Sequence, residues 1–157
     1  MYIDFTYNPN GSLTKETYIR AGNSYKERNF TYDYEERLQQ VEILDKSTGV
    51  PQLDTTGRVN FAYDDFGNRI KKEVEGGDTR YYLNRGLDLL AELDSQGNIT
   101  KSYVYGIDLI GTVDSEGNFR YTIQDSLGST RVLTDDQGNK ITEKTYDPYG
   151  SVEYMYP

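Results

Sequence analysis

The sequence lacks three residue types on which much protein chemistry depends: its 157 residues include no histidine, no cysteine and no tryptophan. Without cysteine, the chain can form no disulfide, thiolate nucleophile, or cysteine-ligated zinc or iron–sulfur site. Without histidine, it can form no Ser-His-Asp or Cys-His relay and no histidine-ligated metal centre. These absences favour a protein that is not an enzyme, and we expect no catalytic residue and no cofactor.

Basic charge and long apolar runs are also scarce. The chain has 17 basic and 26 acidic residues, a net charge of −9, which disfavours binding to nucleic acid or to an anionic membrane. No apolar run has the roughly 18 residues that a membrane-spanning helix needs, so we expect no membrane insertion. Met1–Phe5 lack the basic and apolar regions of a signal peptide. If the parent protein is secreted, we expect its signal to lie outside this chain.

Tyrosine is abundant. The chain has 16 tyrosines and 5 phenylalanines, although only 35% of its residues are hydrophobic. In so polar a chain, tyrosine must serve as the apolar filler, with its hydroxyl reaching an edge or water. Aromatic residues pack well on pleated surfaces, so this composition favours β-sheet.

Two sequence blocks repeat with nearly the same offset. Residues 86–90 (GLDLL) recur as 106–110 (GIDLI), and residues 94–98 (DSQGN) recur as 114–118 (DSEGN) and again as 135–139 (DDQGN). In each Asp-x-x-Gly-Asn block, aspartate can bond the backbone two residues on and glycine supplies a positive φ, which predicts a tight turn. The flanking residues alternate as in strands, so each repeat of about 20 residues predicts one β-hairpin.

A related unit begins with tyrosine. In it a strand ends in Tyr, about four turn residues follow, and an apolar residue re-enters the sheet. Its copies are 7–13 (YNPNGSL), 32–38 (YDYEERL), 63–70 (YDDFGNRI) and 146–152 (YDPYGSV). Glu36 stands where glycine is expected.

The segments between these units are predicted to be loops, turns and a further strand, so the whole chain is predicted to form one meander. Residues 45–52 predict a longer loop, and residues 76–78 a short return turn. Residues 87–93 predict a strand, with Leu87, Leu89, Ala91 and Leu93 on one face. Altogether about seven hairpin units are expected.

The Tyr-Asp-x-x-Gly-x-Arg-apolar unit resembles the YD repeat of Rhs-type proteins. The likeness is most specific in residues 103–110, 125–131 and 146–150, which resemble the Rhs repeat-associated core in order. It implies an all-β fold, a meander of consecutive β-hairpin repeats forming a curved or spiralling sheet. It also implies one array over 1–157, with looser YD repeats in 1–84 and core-like repeats in 85–157.

The resemblance also implies a function. Family members form part of a β-shell that encapsulates or displays a toxin or adhesive domain in a large secreted or cell-surface protein. The implied partners are the neighbouring repeats and a C-terminal cargo domain. Residues 147–151 lack the closing leucine of the family's self-cleavage segment, so no cleavage residue is assigned. A carbohydrate- or cell-wall-binding adhesion module is the alternative, with a glycan stacking on the tyrosines. Open edges of the end hairpins predict self-association.

The acidic residues could in principle serve catalysis or calcium binding instead of simply forming turns. The acidic pairs Glu35/Glu36, Asp64/Asp65 and Asp135/Asp136 could serve a glycosidase, but adjacent strand residues point to opposite faces and all three pairs fall at predicted turns. The Asp-x-x-Gly-Asn turns could bind calcium, but each offers only one or two carboxylates.

Residues 125–131 (DSLGSTR) are the least turn-like part of the resemblance. Ser126 or Ser129 could act as a nucleophile only with a desolvated lysine, Lys140 or Lys144, as its base. We therefore expect a bend at Gly128, with Arg131 paired to a carboxylate, and predict no catalytic, cofactor or metal residue. We assign no function to the formal glycosylation sequons at Asn10, Asn29 and Asn98.

Overall fold

The computed structural model describes residues 2–45, 52–148 and 150–156, and every regular element in these ranges is a β-strand. The strands are β1 (Tyr2–Tyr7), β2 (Leu13–Arg20), β3 (Asn23–Tyr32), β4 (Leu38–Asp45), β5 (Gln52–Tyr63), β6 (Arg69–Val74), β7 (Thr79–Arg85), β8 (Asp88–Leu93), β9 (Ile99–Tyr105), β10 (Leu109–Asp114), β11 (Phe119–Gln124), β12 (Thr130–Thr134), β13 (Lys140–Tyr146) and β14 (Val152–Tyr156). The predicted all-β meander is confirmed. Within the described ranges, no helix has the length and apolarity to cross a membrane.

The chain divides into two compact units, Met1–Tyr82 and Leu83–Pro157. Within each unit the strands follow one another in chain order as antiparallel neighbours. The division lies two residues from the predicted change of repeat type at 84/85. The description of 1–157 as a single array stays a prediction.

In each unit, the odd-numbered strands finish at one end of the sheet, and several of them finish there in tyrosine. We call this end the tyrosine end. The tyrosines are Tyr7, Tyr32 and Tyr63 in the first unit, and Tyr105 and Tyr146 in the second. Each lies at the boundary of a strand and a turn, as the repeat predicts. The other end of the same strands is called the opposite end.

One turn geometry is used eight times in the described residues. The N–H of an Asp or Asn donates to the carbonyl four residues on, and the N–H of the residue at the fourth position donates back to the first residue's carbonyl. The fourth residue has a positive φ, for example +83° at Gly67, so the pattern is a type I turn closed by a left-handed residue. The turns are 8–12, 33–37, 64–68, 94–98, 114–118, 125–129, 135–139 and 147–151.

Little of the described sheet is buried. Ala91 is the one buried hydrophobic residue, at 4% exposure, and Glu27 the one buried charged residue, among the side chains that the structure describes. Stability must therefore come largely from backbone ladders and cross-strand side-chain pairs.

The first unit has two chemically different faces. On one face Phe30, Val41, Val59 and Val74 are successive cross-strand partners, so an apolar row crosses four strands. The other face carries ion pairs, which stabilise the sheet without apolar burial.

Those ion pairs lie on cross-strand positions. Lys15 Nζ is 3.0 Å from Glu27 Oε1, and Arg58 Nη2 is 3.0 Å from Glu42 Oε1. Arg58 and Glu42 are direct ladder partners, whereas Lys15 pairs with Asn29 and reaches Glu27 along the diagonal. Opposite charges at such positions favour the observed register, because a slip of one residue would send each side chain to the other face.

The structure corrects two expectations. Leu87 does not belong to a strand: β8 begins at Asp88, and Leu87 is 98% exposed beside Gly86, whose φ is +60°. Residues 125–131, interpreted as the least turn-like part of the resemblance, contain at 125–129 the same turn as the other seven. Gly128 has the predicted positive φ of +81°, and Arg131 is paired with Asp125.

Two further predictions concern loops. The return turn at 76–78 is confirmed, because the Gly77 N–H donates to the Val74 carbonyl at 2.9 Å. The loop predicted over 45–52 lies mostly outside the described residues: β4 ends at Asp45 and β5 begins at Gln52.

Candidate functional site

Tyrosine hydroxyls join neighbouring hairpins at the tyrosine end. The Tyr32 hydroxyl donates to the Leu13 carbonyl at 2.8 Å, and the Tyr63 hydroxyl donates to the Leu38 carbonyl at 2.9 Å. Each bond links the last residue of one strand to the first residue of the strand before it. If a repeat is taken as the two strands joined by a turn at the tyrosine end, the earlier strand belongs to the preceding repeat, so each bond ties two repeats together.

The second unit repeats this arrangement. Tyr105 donates to the Leu89 carbonyl at 3.1 Å, and Tyr146 donates to the Thr130 carbonyl at 2.8 Å. Each of these tyrosines is half-buried and its hydroxyl satisfies a backbone acceptor, which suits a side chain with an apolar body and a polar tip.

Glu36 links the first two turns of the tyrosine end. Its carboxylate accepts hydrogen bonds from Ser12 Oγ at 2.6 Å, Asn10 Nδ2 at 2.7 Å and Asn8 Nδ2 at 3.2 Å. These three donors, Ser12 first, lower the pKa of Glu36. Glu36 therefore replaces the expected glycine with a side chain that binds the neighbouring turn, although its own φ is +61°.

Arg37 continues the chain of contacts to the third turn. Its Nε donates to Asp33 Oδ2 at 2.7 Å, and its Nη1 donates to the Asp64 carbonyl at 3.0 Å. Its guanidinium carbon lies 5.2 Å from the centre of the Tyr63 ring, within cation–π range. One arginine thus contacts its own turn, the next turn at 64–68, and Tyr63, the residue directly before that next turn.

Arg131 plays the corresponding part in the second unit. Its Nε donates to Asp125 Oδ2 at 2.8 Å, and its guanidinium carbon lies 5.4 Å from the centre of the Tyr146 ring. The same three groups, a turn aspartate, an arginine and a strand-end tyrosine, therefore recur in both units.

Turn carboxylates are held as anions. The side-chain amides of Asn68, Asn98, Asn118 and Asn139 donate to the aspartates that open their turns, and these bonds are the largest cause of the lowered pKa values of Asp64, Asp94, Asp114 and Asp135. For Asp125 the backbone N–H of Ser129 is the largest cause of the lowered pKa. Hydrogen bonds to a charged form favour that form, so each turn is tightest when its aspartate is ionised.

Two clefts lie between neighbouring turns at the tyrosine end of the second unit. One, of about 460 Å³, separates the 106–108 turn from the 125–129 turn and is lined by Asp88, Asp108 and Asp125. The second, of about 520 Å³, separates the 125–129 turn from the 147–151 turn and is lined by Leu127, Tyr146 and Pro148 among others.

The carboxylate pairs considered for catalysis lie in turns, and Lys140, considered as a base, lies far from Ser126. Glu35/Glu36, Asp64/Asp65 and Asp135/Asp136 all belong to turns of the common type. Lys140 begins β13 at the opposite end from Ser126 and is 2.9 Å from Glu143, with half of its side chain exposed. That arrangement does not supply the desolvated base that a serine nucleophile would need.

The calcium hypothesis gains no geometric support. The part of the chain that the structure describes contains no group of three or more Asp, Glu, His or Cys side chains placed to hold a metal ion. In six of the turns one aspartate oxygen instead accepts two backbone N–H groups, as that of Asp94 does from Gln96 and Asn98 at 2.8 and 2.9 Å.

The bonds between turns escaped the sequence prediction. The repeat places Tyr32 and Glu36 at known turn positions, but it does not tell which neighbouring carbonyl or turn they reach. The one available signal was Glu36 itself, because a charged residue at a position that favours glycine indicates that its side chain makes a stabilising contact.

The fold and the turn contacts define a repeat protein built from laterally bonded hairpins. No family model matches the chain. The chain is similar to the tRNA(Glu)-specific nuclease WapA of Bacillus subtilis subsp. natto (strain BEST195), with 34% identity over 156 residues, and to the tRNA nuclease WapA of Bacillus subtilis (strain 168), with 31% identity over 156 residues. Each match covers 95% of this chain but only 6% of the relative.

A solved structure has the same fold over nearly the whole chain. A Photorhabdus luminescens Tc holotoxin pore aligns with 98% of this chain and 10% of its own, with a TM-score of 0.55 and 17% sequence identity. The likeness supports the antiparallel repeat fold. Both kinds of comparison place the similar stretch within a much larger toxin or nuclease chain.

Proposed function

We propose that this chain is a structural module: a segment of an Rhs/YD-repeat β-shell that encapsulates or displays a toxin or adhesive domain. Its mechanism is mechanical. Each hairpin is held to the next by the backbone ladder and by side chains at the tyrosine end, so that a continuous wall can form from repeats that bury almost nothing alone.

The observation that carries the proposal is the recurring tyrosine-to-carbonyl bond between hairpins. Tyr32, Tyr63, Tyr105 and Tyr146 make the same kind of contact in both units. A binding site would concentrate unusual residues in one place. These contacts instead recur at the ends of four strands, β3, β5, β9 and β13, and so are distributed along both units, as expected for a structural wall.

The comparisons support a toxin setting. The WapA relatives are named as tRNA nucleases, and the matched stretch is 6% of their length. We infer that the corresponding stretch here is scaffold and that any nuclease activity of its parent lies in another part of it. The parent would be a secreted or cell-surface protein, with a cargo domain C-terminal to the repeats as the main partner.

We further propose that the chain is not itself an enzyme. Its sequence offers no histidine or cysteine, the paired carboxylates discussed above lie in turns, and Lys140 is ion-paired with Glu143. The purified 157-residue chain should leave tRNA and cell-wall glycan unchanged. Turnover that disappears on a single Asp→Asn substitution would overturn this part of the proposal.

Limited proteolysis tests the scaffold role. The full-length product of the gene that encodes this chain is digested before and after urea treatment, and the fragments are identified by mass spectrometry. We expect a domain outside the repeats to resist protease until the repeats unfold. A product with no further domain, or one whose other domain is cut as fast before urea as after it, would contradict the proposal.

A further inference from the structure

The 8–12 turn contains a pair of residues that occurs once in the sequence, an asparagine directly followed by a glycine. Asn10 and Gly11 are both exposed, and apart from the chain neighbours of Gly11 no atom lies within 4 Å of the place that a Cβ there would take. A glycine backbone nitrogen has no side chain beside it to hinder its approach to the preceding asparagine Cγ. The pair is therefore chemically labile.

The asparagines that close four other turns are placed differently. Each follows the turn glycine instead of preceding it, and each is itself followed by a residue with a large side chain, which hinders attack by the next backbone nitrogen. Their amides donate to the aspartates of their own turns, as Asn98 Nδ2 does to Asp94 Oδ2 at 3.0 Å. These asparagines are Asn68, Asn98, Asn118 and Asn139. They serve as internal controls for the reactivity of Asn10.

The amide of Asn10 is bonded to the neighbouring turn instead of its own. Asn10 Nδ2 donates to Glu36 Oε1 at 2.7 Å, and the other oxygen, Oε2, accepts from Ser12 Oγ and Asn8 Nδ2. The Gly11 N–H donates to the Asn8 carbonyl at 3.0 Å. Attack on the Asn10 Cγ requires both bonds to open, so Glu36 protects the amide while the two turns are joined.

We propose that Asn10 is a site of spontaneous deamidation whose product reverses the contact with Glu36. The Gly11 backbone nitrogen loses its proton to solvent and forms a bond to the Asn10 Cγ. The Cγ–Nδ2 bond breaks, and Nδ2 leaves as ammonia with a proton from solvent. Water then opens the resulting succinimide ring at either of its carbonyls and leaves aspartate or isoaspartate at position 10. Water is the only co-reactant.

Both products weaken the link between the first two tyrosine-end turns. The new carboxylate has no N–H to donate, and its negative charge faces the Glu36 carboxylate across the 2.7 Å that Asn10 Nδ2 now spans. Isoaspartate also adds a methylene to the main chain of a turn that Asn8 and Ser12 close by a backbone hydrogen bond. The modification thus loosens one hairpin from the next, and this inference does not depend on the scaffold role.

Ageing of the 157-residue chain tests the reactivity. The chain is incubated at mildly alkaline pH and physiological temperature, and peptide mapping by mass spectrometry follows conversion of amide to acid at each asparagine. We expect conversion at Asn10 to be at least about tenfold faster than at the four turn-closing asparagines, because glycine alone leaves the attacking nitrogen unhindered.

A pair of variants tests the protection by Glu36. Glu36→Gly removes the acceptor and also relieves the positive φ of +61°, so the turn can still form. It should speed conversion at Asn10 at least about threefold, because the amide loses a hydrogen bond to a charged group. Glu35→Ala changes the adjacent residue of the same turn and should leave the rate unchanged. Circular dichroism verifies that both variants fold.

Substitution at position 10 tests the consequence separately. Asn10→Asp should lower the urea midpoint below that of Asn10→Ala, which removes the donor without adding a charge. In the double variant Asn10→Asp/Glu36→Gln, the glutamine amide takes the place of Oε1 and donates to the aspartate, while its oxygen still accepts from Ser12 and Asn8. The double variant should therefore have a higher midpoint than Asn10→Asp.

Three results would contradict the proposal. Conversion at Asn10 no faster than at the turn-closing asparagines would remove the site. Equal rates in Glu36→Gly and Glu35→Ala would show that Glu36 gives no protection. An Asn10→Asp variant as stable as Asn10→Ala, or one that Glu36→Gln does not rescue, would show that the contact is not reversed.

Discussion

The hydroxyl of Tyr32 lies 2.8 Å from the carbonyl oxygen of Leu13, so the last residue of β3 is bonded to the first residue of β2. The same relationship joins Tyr63 to Leu38 and Tyr146 to Thr130. The strand-end tyrosine of the repeat is therefore a device for attaching one hairpin to the one before it, in addition to being an apolar filler.

Removing such a hydroxyl should weaken the sheet. Tyr63→Phe retains the ring but leaves the Leu38 carbonyl without its donor, and we expect a loss of about 1 kcal/mol in the free energy of unfolding. Urea unfolding followed by circular dichroism measures it. Tyr34→Phe, at an exposed turn tip, is the control and should change the midpoint little. Equal effects of the two substitutions would argue against the bond's role.

Glu36 combines an unfavourable backbone with favourable contacts. Glu36→Ala keeps a side chain at a positive φ and loses the bonds from Asn8, Asn10 and Ser12. Glu36→Gly loses the same bonds but removes the backbone strain. In thermal unfolding, both the unchanged chain and Glu36→Gly should therefore have a higher midpoint than Glu36→Ala. An alanine variant as stable as the glycine variant would show that φ at this position is not strained.

The turn carboxylates predict loss of stability in acid. Because the folded pKa values of Asp94, Asp114 and Asp135 lie below the ordinary value near 3.9, their contribution is present above that value. It is lost as pH falls through the lowered pKa values. The urea midpoint should accordingly decrease from about pH 4 downward.

The triple variant Asp94→Asn/Asp114→Asn/Asp135→Asn separates these groups from other carboxylates. Asparagine can keep the turn, since Asn8 already accepts the N–H groups of Asn10 and Ser12 at 3.0 and 2.8 Å. We expect the variant to show a flatter pH dependence, while Asp136→Asn, beside Asp135, should not. An unchanged slope in the triple variant would assign the acid sensitivity to other groups.

Gly111 should tolerate no side chain. A Cβ built at this position lies against the Arg120 carbonyl and 2.7 Å from the Phe119 ring, so the neighbouring strand would have to move. Gly111→Ala should cost about 1–3 kcal/mol of unfolding free energy, measured by urea unfolding. A fully stable variant would show that β10 and β11 separate more easily than this packing indicates.

Much of the fold was accessible from the sequence because the repeat specifies its own turns. Asp94–Asn98 and its copies combine a side-chain acceptor with a positive-φ glycine, and both features act within five residues. Leu87 was misassigned because it continues the apolar alternation of Leu89, Ala91 and Leu93, although the turn that begins at the positive-φ Gly86 still includes it. The partners of Glu36 and Arg37 could not be predicted, since they lie on the turns of neighbouring hairpins and depend on register.

Electron cryomicroscopy of the full-length product of the gene that encodes this chain tests the central claim most directly. If these repeats are a shell segment, residues 2–156 will be part of a continuous wall of hairpins around density for another domain. Hairpins that form a free-standing ribbon with no domain enclosed or displayed by it would contradict the account.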